Sequence, residues 1–515
     1  MGSNLKYLPI VAFLSLPSSL IISFSVSYYN KHITTAIPYI SDSGSFQPES
    51  CIFGQALNIC SVLMVLSMYI RYRQIEYVII RHEYSCNNHL INKRSFFVGI
   101  VAAIGVSIVG NVQESACLFM HWVGASMCFG LGALYQCLQT HIYYNLYPII
   151  GQKVINRFRL FLSIASAISF VIFFGTGIVS NMQFTGTDGT KWQPEDGGHD
   201  LHVISAIMEW ICASGTMVYL LLFKIDFETI TVKEPEIFVA DNFTVNAKIC
   251  SRRVSNNSTF NFESTQYYIS FTKMISVKNI PVIVVLVTGV TVAITSGFAY
   301  SQKHVTYVVP YISDTGTYPP ESCIFGQALN ILSVLIAYMI YIRYLQIKEV
   351  INDSNGNYHN LNKINLMFGY CAALGLSVVG NFQETNQITV HWTGAVCAFG
   401  GGALYQVIQY VISLKQEHIF NKGIIKIVHF VLMVTSAVTF VIFFTTGLIA
   451  NSEFQGDDLT KWKMEDGAFD LHLVSTVNEW ICANSVMLFI YLLKWELEKI
   501  TVNGIRVTLN KTYYN

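Results

Sequence analysis

One segment of the sequence occurs twice. It reads Pro38-Tyr-Ile-Ser-Asp-Ser-Gly-Ser-Phe-Gln-Pro-Glu-Ser-Cys-Ile-Phe-Gly-Gln-Ala-Leu-Asn58 and recurs almost unchanged as Pro310-Tyr-Ile-Ser-Asp-Thr-Gly-Thr-Tyr-Pro-Pro-Glu-Ser-Cys-Ile-Phe-Gly-Gln-Ala-Leu-Asn330. Further motifs recur in the same order: Gly110–Glu114 as Gly380–Glu384, His121-Trp122 as His391-Trp392, Gly132–Gln136 as Gly402–Gln406, and Glu209–Ala213 as Glu479–Ala483. The period of about 270 residues is that of a whole domain rather than of a solenoid repeat. The chain is therefore a tandem duplication of one domain.

Composition indicates a membrane protein. Hydrophobic residues make up 52% of the chain and charged residues only 12%, whereas a soluble domain carries about 25% charged residues. Each half contains six apolar runs close to the ~20 residues that a membrane-spanning helix needs. These runs lie near 8–28, 51–70, 96–116, 119–141, 158–180 and 201–223, and near 280–300, 323–342, 366–384, 389–412, 425–450 and 471–493. The predicted fold class is all-α, a polytopic membrane protein with two parallel six-helix transmembrane bundles.

The distribution of Lys and Arg predicts the orientation, because short cytosolic loops are enriched in both. The basic residues that cluster on one side are Arg71, Arg73, Arg81, Lys93, Arg94, Lys153, Arg157 and Arg159, and in the second half Arg343, Lys348, Lys363, Lys415, Lys422 and Lys426. We expect these loops and both termini to lie in the cytosol. We divide the chain into a six-helix domain at 1–224, a polar cytosolic linker acting as a flexible tether at 225–276, and a second six-helix domain at 277–515.

Ionisable residues in or near the spans carry the functional information, because a charged side chain that faces lipid is costly. Asn111 and Glu114 are three residues apart and His202 and Glu209 are seven apart, so each pair lies on one helical face. We predict a polar cluster at the lumenal end of each bundle. Its members are Asp42, Glu49, Asn111, Glu114, His121, His202 and Glu209, and their counterparts Asp314, Glu321, Asn381, Glu384, His391, His472 and Glu479.

Three interpretations of this cluster remain open. Its members are hydrogen-bond partners that fix the bundle, or a proton-responsive group in which His titrates beside carboxylates, or ligands of a divalent metal. Their spacing matches no defined metal motif, so no metal and no cofactor is predicted. The sequence also lacks a P-loop, a dinucleotide-binding glycine pattern and a GxSxG nucleophile motif. We therefore predict that the chain is not an enzyme.

The fourth helix of each half carries small residues at every fourth position. They are Gly124, Cys128 and Gly132 in the first half, and Gly394, Ala398 and Gly402 in the second. Small residues at this spacing let two membrane helices approach closely. We expect Gly132 and Gly402 to lie in tight helix–helix contacts.

These motifs resemble those of the damage-regulated autophagy modulator (DRAM) family. The resemblance rests on the Pro-x-Ile-Ser-Asp-[Ser/Thr]-Gly loop, Gly-Asn-x-Gln-Glu in helix three, His-x-x-Gly-Ala in helix four and Glu-Trp in helix six. It covers essentially each whole copy. It implies a six-helix protein of lysosomes and related membranes that promotes autophagy and, in some members, cell death. The tandem arrangement departs from the usual single copy.

The resemblance and the residues together predict a non-enzymatic, multi-pass membrane modulator of autophagy or lysosome function, with a link to apoptosis. Two alternatives stay open: a transporter or lipid-handling protein that uses the lumenal polar cluster, and a scaffold that recruits phosphoinositide kinases through its basic loops. The expected partners are the lipid bilayer and anionic lipids at those loops, without nucleic acid. The expected location is the lysosome or another endomembrane, with the plasma membrane as the alternative.

Overall fold

The computed structural model describes residues 5–33, 37–239, 276–306, 308–351, 357–415 and 423–509. Most of the predicted linker, residues 240–275, lies outside this part of the chain, as does the predicted basic residue Lys422. Within the described part, twelve helices are long and apolar enough to cross a membrane. The prediction of an all-α polytopic membrane protein is confirmed.

The described residues form two compact units. The first consists of the chain up to Glu234 together with the chain from Ile505, and the second consists of Pro235–Gly504. The helices of the first unit are α1 (Leu5–Tyr29), α2 (Glu49–Arg81), α3 (Cys86–Asn111), α4 (Leu118–Leu146), α5 (Lys153–Gln183) and α6 (His199–Phe227). Those of the second are α7 (Val277–Ser301), α8 (Glu321–Val350), α9 (Tyr358–Asn381), α10 (Ile388–Leu414), α11 (Ile424–Glu453) and α12 (Phe469–Leu497).

Each unit is a ring of helices. Every helix packs against its neighbours in sequence, and the sixth helix returns to pack against the first, with the same pairs in contact in both units. Because successive helices are antiparallel, the loops after the first, third and fifth helices share one end of the unit, here called the acidic end. The loops after the second and fourth helices share the other, here called the basic end. The prediction that the two copies fold as similar bundles is confirmed.

The lipid-facing surface follows the helical period. On α5, Phe161, Ile164, Ile168 and Val171 are each at least 50% exposed. On α11 the matching positions are also exposed, and they are Val431, Val434, Val438 and Val441. Apolar residues spaced three and four apart form one stripe on a helix. Such a stripe, left uncovered by the unit, is the surface expected against a bilayer.

Polar side chains between α5 and α6 are satisfied inside the unit. The Ser205 hydroxyl of α6 donates a hydrogen bond to the carbonyl of Phe173 on α5 at 2.8 Å. In the second unit Ser475 donates to the carbonyl of Phe443 at 2.7 Å. A hydroxyl that finds a partner on the adjacent helix is not left unsatisfied in hydrocarbon, and it ties the two helices together.

The tight contact of the fourth helix lies at a different glycine from the one predicted. A Cβ added to Gly105 of α3 would lie 2.7 Å from the carbonyl oxygen of Gly124 on α4, whereas one added to Gly132 would meet only a methyl of Thr216 at 3.9 Å. The second unit agrees, because a Cβ at Gly375 would lie 2.5 Å from the Gly394 oxygen and one at Gly402 only 3.8 Å from Val486. The prediction for Gly132 and Gly402 is therefore wrong.

A π-helical segment explains that error. Residues Ser126–Leu131 of α4 and Val396–Gly400 of α10 adopt this wider helix, which has more residues per turn than an α-helix. The segment lies between Gly124 and Gly132, so residues that a regular α-helix would bring to nearby faces are turned apart. Gly124 consequently faces α3, while Gly132 is directed toward Thr216 of α6.

Two short strands follow the sixth helix of each copy. The four are β1 (Ile230–Lys233), β2 (Glu236–Val239), β3 (Ile500–Asn503) and β4 (Arg506–Leu509). Although β1 and β2 are separated by only two residues, they do not pair with each other. Instead β1 pairs with β4 and β2 with β3, both antiparallel. The last strand of the described chain therefore belongs to the first unit.

This pairing differs from the predicted domain boundaries. The sequence predicts a flexible tether from residue 225, yet residues 225–239 complete α6 and form two strands. Ile230 and Val507 are 2% and 4% exposed and belong to the apolar core of the first unit. Ile230 and the partly buried Val232 alternate along β1 and pack on the core of the first unit, while Ile237 of β2 is buried in the core of the second. This burial orders a segment whose overall polarity favours a loop.

Replacing Val507 by Asp should loosen the first unit at its final strand. The substitution places a carboxylate in the apolar core that also contains Ile230, and we expect local opening to become easier by about 2–3 kcal/mol. Hydrogen–deuterium exchange on the full chain measures this as faster exchange at 230–233. Thr508→Asp, on the opposite face of the same strand, serves as the control, and equal effects of the two substitutions would contradict the assignment.

Replacing Gly105 by Ala should destabilise the protein, because the new Cβ would clash with the backbone of α4. Overpacking of this kind costs about 1–3 kcal/mol. The matched variant Gly132→Ala has room for its methyl group and should be close to neutral. Thermal unfolding in detergent compares the two, and a larger loss for Gly132→Ala would restore the original prediction.

Candidate functional site

The loop between α1 and α2 is held against α6 at the acidic end of the first unit. Its backbone N–H of Ile40 donates to Oε2 of Glu209 at 2.8 Å, and the indole Nε1–H of Trp210 donates to the carbonyl of Pro38 at 3.0 Å. The short turn that follows, Ser41–Gly44, is buried. The second unit repeats both bonds at 2.9 Å each, from Ile312 to Glu479 and from Trp480 to Pro310.

Three carboxyl groups, those of Asp42, Glu114 and Glu209, converge behind this loop. Asp42 is 1% exposed, its Oδ2 accepts the N–H of Tyr39 at 2.8 Å, and its Oδ1 has no partner among the described residues. Burial raises the pKa of Asp42 well above its usual range, and the negative charges of Glu114 and Glu209 raise it further. Burial likewise raises the pKa of Glu114. The site therefore concentrates three acidic groups in a place with little water.

The second unit contains the same carboxyl group in the same setting. Oδ2 of Asp314 accepts the N–H of Tyr311 at 2.9 Å. Burial raises the pKa of Asp314 well above its usual range, and Glu384 is the strongest of the charges that add to this. Glu384 itself accepts a hydrogen bond from the indole of Trp392 at 3.3 Å. The cluster is thus built twice from matching residues.

The predicted histidines lie beside this cluster but contact other groups. The ring of His202 stacks on Trp192 with centroids 4.2 Å apart and meets Tyr39 edge-on at 4.6 Å. Nδ1 of His121 lies 2.7 Å from the carbonyl oxygen of Val112. In the second unit His472 stacks on Trp462 at 4.1 Å, and His391 pairs with the carbonyl of Phe382 at 2.6 Å. These histidines order the loops around the carboxyl groups.

Asn111 belongs to a separate network between α2 and α3. Its Nδ2 donates to the carbonyl of Ser107 at 2.7 Å and to Oδ1 of Asn58 at 3.1 Å, while the Ser107 hydroxyl donates to the same Oδ1 at 2.6 Å. Asn381, Ser377 and Asn330 repeat the arrangement. Each of these bonds is interhelical or within a helix turn. The structural interpretation therefore accounts for both asparagines.

Glu49 is paired with a histidine that sequence reasoning missed. The Glu49 carboxylate is fully buried and bonds Nδ1 of His32, whose side chain is 27% exposed; Glu321 and His304 form the same pair. The spacing of 17 residues is identical in both copies. That shared spacing is a signal from which the pair could be found, although both histidines lie in loops beyond the apolar runs.

A cleft opens at the acidic end of the first unit. It lies among the α1–α2 loop, the α3–α4 loop, α4, α5 and α6, and its empty space together with the open solvent at its mouth is about 580 Å³. Glu114, His121 and Glu209 of the predicted cluster line it, with Tyr39 and Trp192. Within the described ranges, no group of three or more His, Cys, Asp or Glu side chains is placed to hold a metal ion. The cleft is a candidate binding site.

The match to a known family covers both copies. The sequence profile of the Frag1/DRAM/Sfk1/Cwh43P N-terminal domain matches residues 4–230 and again residues 276–500. The chain belongs to this family. The resemblance to DRAM proteins inferred from the motifs is thereby confirmed.

Individual DRAM relatives align with less than half of this chain. DNA damage-regulated autophagy modulator protein 2 of Homo sapiens is 33% identical over 236 residues, which are 45% of this chain and 86% of that protein. DNA damage-regulated autophagy modulator protein 1 of Mus musculus is 32% identical, over 42% of this chain and 88% of that protein. Modulator of macroautophagy TMEM150B-B of Xenopus laevis is 33% identical, over 40% and 78%. No solved structure matches.

Two of the basic residues predicted at the basic end of this tandem DRAM-family chain are buried and do not lie on its surface. Arg71 and Arg159 are both fully buried, and Arg159 Nη2 lies 2.7 Å from Oδ2 of Asp226. The two guanidinium groups stack on the ring of Tyr143, 4.0 and 3.5 Å from its centroid. These arginines hold the bundle together and are not part of a surface for anionic lipid. The exposed basic residues of the first unit there are Arg81, Lys93, Arg94, Lys153, Arg157, Lys233 and Arg506.

The second copy has a simpler buried charge cluster. With the 270-residue offset between His121 and His391, Arg159 corresponds to His429, Tyr143 to Ser413 and Asp226 to Glu496. Nη1 of Arg343 lies 3.4 Å from Oε2 of Glu496, so one buried arginine there pairs with one carboxylate. The first unit instead buries two arginines around one carboxylate. The copies thus share the acidic end and differ at the basic end.

The raised pKa values predict whether the acidic end becomes more or less stable as the pH rises. Because Asp42 and Glu114 have folded pKa values above their unfolded ones, their stabilising contribution is fully present below the unfolded pKa of about 4 and is lost as the pH rises through the raised values. We therefore expect the α1–α2 loop to exchange amide hydrogens more slowly at pH ~5 than at pH ~8, after correction for intrinsic rates. Asp42→Asn with Asp314→Asn should reduce this difference, and an unchanged difference would refute the role of these carboxyl groups.

Proposed function

We propose that this chain is a membrane modulator of autophagy that acts from lysosomal or related membranes without catalysing a reaction. The observation that carries the proposal is the family match in both halves, to relatives named as modulators of autophagy. The relatives align over most of their own length. Each half of this chain therefore corresponds to nearly a whole relative.

The buried acidic end supports a role in an acidic compartment. The carboxyl groups of Asp42 and Glu114 favour the protonated state, since burial and nearby negative charge both oppose ionisation. Low lumenal pH would therefore consolidate the loops at this end. This argument depends on the predicted orientation, which places the acidic end in the lumen.

Rescue of autophagic flux tests the proposal. In cells that lack the protein, we expect flux under starvation to fall, and the tagged wild-type chain to restore it while colocalising with a lysosomal marker. The anchor variant Trp210→Phe with Trp480→Phe removes both indole donors to the α1–α2 and α7–α8 loops, and should restore flux by less than half. Cell death scored in the same cultures tests the link to apoptosis.

The control for this experiment is Trp495→Phe. Trp495 lies near the other end of α12 and packs edge-on against Tyr491, so its loss removes an indole without touching the acidic end. We expect this variant to restore flux fully at equal protein level. Normal flux in cells without the protein would refute the proposed function. Full rescue by the anchor variant would show that the indole contacts at the acidic end are not needed for that function.

A second candidate is a lipid-handling protein or transporter. The cleft of the first unit favours it, because a cleft with convergent polar groups and an apolar lining is the usual form of a small-ligand site. Transport or lipid exchange by the purified chain in reconstituted vesicles tests this candidate. A scaffold that recruits phosphoinositide kinases has weaker support, because Arg71 and Arg159 are buried.

A further inference from the structure

The cleft at the acidic end of the first unit is lined by carboxyl groups, and His121 is the basic side chain in its lining. Glu114 and Glu209 line it, and Asp42 lies close enough to both to interact with their charges. Among the described residues that form its lining, none is Lys or Arg. The basic residue nearest in sequence to the lining Trp192 is Lys191, whose Nζ pairs with Asp188 at 3.6 Å. A positively charged occupant would favour the ionised form of these buried carboxyl groups, so the cleft suits such an occupant.

Glu209 is one of the residues that line this cleft. Its side chain is 5% exposed and lines the cleft, and its Oε2 is used by the N–H of Ile40. Oδ1 of the neighbouring Asp42 is buried without a partner among the described residues. A buried oxygen that lacks a donor is unusual, because it costs the free energy of its lost hydration. Asp42 does not itself line the cleft, so a positive charge there would act on it through space, as the charges of Glu114 and Glu209 do.

The aromatic residues that line the rest of the cleft indicate which kind of cation it can bind. Tyr39, Trp122, Phe173 and Trp192 line the same cleft as the carboxylates. Metal cations such as Ca²⁺ require about six or more oxygen ligands, which an aromatic lining does not provide. An ammonium group carrying methyl or methylene substituents is attracted to aromatic faces. The combination of carboxylates with aromatic rings is chemistry suited to such a group.

We propose that this cleft binds an organic ammonium group, the charged group of a substituted amine. The group enters between the aromatic rings, and its charge is balanced by Glu114 and Glu209, which ionise as it binds. Two sources share this chemistry: a free amine such as choline, and the choline headgroup of a lipid. The inference concerns ligand chemistry alone, so it stands independently of any role in autophagy.

Binding of radiolabelled choline to the purified full-length chain in detergent tests the proposal. We expect saturable binding that 3,3-dimethylbutanol, the uncharged analogue of the same shape, fails to displace. Glu114→Gln with Glu384→Gln, which removes the charge in both copies while keeping the side-chain shape, should weaken choline binding about tenfold or more. Glu209→Gln with Glu479→Gln is a second variant, since the amide oxygen can still accept the backbone N–H of the loop and so preserve its position.

The matched control is Glu195→Gln with Glu465→Gln, which neutralises exposed carboxylates in the loops after α5 and α11. It should leave choline affinity unchanged, and thermal unfolding of every variant confirms that it is folded. Equal displacement by the uncharged analogue, or unchanged affinity after the Glu114 and Glu209 substitutions, would overturn the proposal.

Lipid nanodiscs distinguish the two sources of the ammonium group. Displacement of choline by nanodiscs of phosphatidylcholine, but not by nanodiscs of phosphatidylglycerol, would assign the lipid headgroup. No displacement by either would assign the free amine. Equal displacement by both would show that the cleft takes lipid without regard to the ammonium group, and it would overturn the proposal.

Discussion

Two hydrogen bonds from consecutive residues of the sixth helix hold the acidic end together. Glu209 accepts the backbone N–H of Ile40, and Trp210 donates to the carbonyl of Pro38. One helix residue accepts a hydrogen bond and the next donates one, so both a backbone N–H and a backbone carbonyl of the loop are bonded to the helix. These two bonds position Tyr39 and Asp42, and the turn that follows is also held by the Ser23–Ser43 hydroxyl contact at 3.0 Å. The arrangement also explains why the Pro38 motif and the Glu-Trp pair persist together in both copies.

Much of the architecture could be predicted because it depends on composition and repetition. The apolar runs correspond to all twelve candidate spans, and the recurrence of Asp42, Glu114 and Glu209 identified groups that do converge. Their partners could not be predicted, because a spacing on one helix does not reveal what faces it. His202 is predicted beside carboxylates, yet it stacks on Trp192 from a loop 10 residues earlier in the chain.

The errors also have physical causes. The prediction of a tight contact at Gly132 assumes a regular α-helix, and the π-helical segment Ser126–Leu131 breaks that assumption. Arg71 follows an apolar run, so its position in the sequence suggests a loop. That position does not show which way the side chain points, and the guanidinium group in fact lies over the ring of Tyr143 inside the unit. The pairing of β1 with β4 brings Ile230 opposite Leu509, across nearly the whole second copy, and local sequence patterns do not encode a contact over that separation.

The exchanged strands have a consequence for the order in which the protein is made. Synthesis proceeds from the N-terminus, so the six helices of the first unit are complete long before β4 leaves the ribosome. Until then β1 has no partner, and its free edge is exposed to pairing with other chains. The first half to be synthesised is therefore finished last, by Arg506–Leu509. A nascent chain released early would carry six inserted helices and an open strand edge.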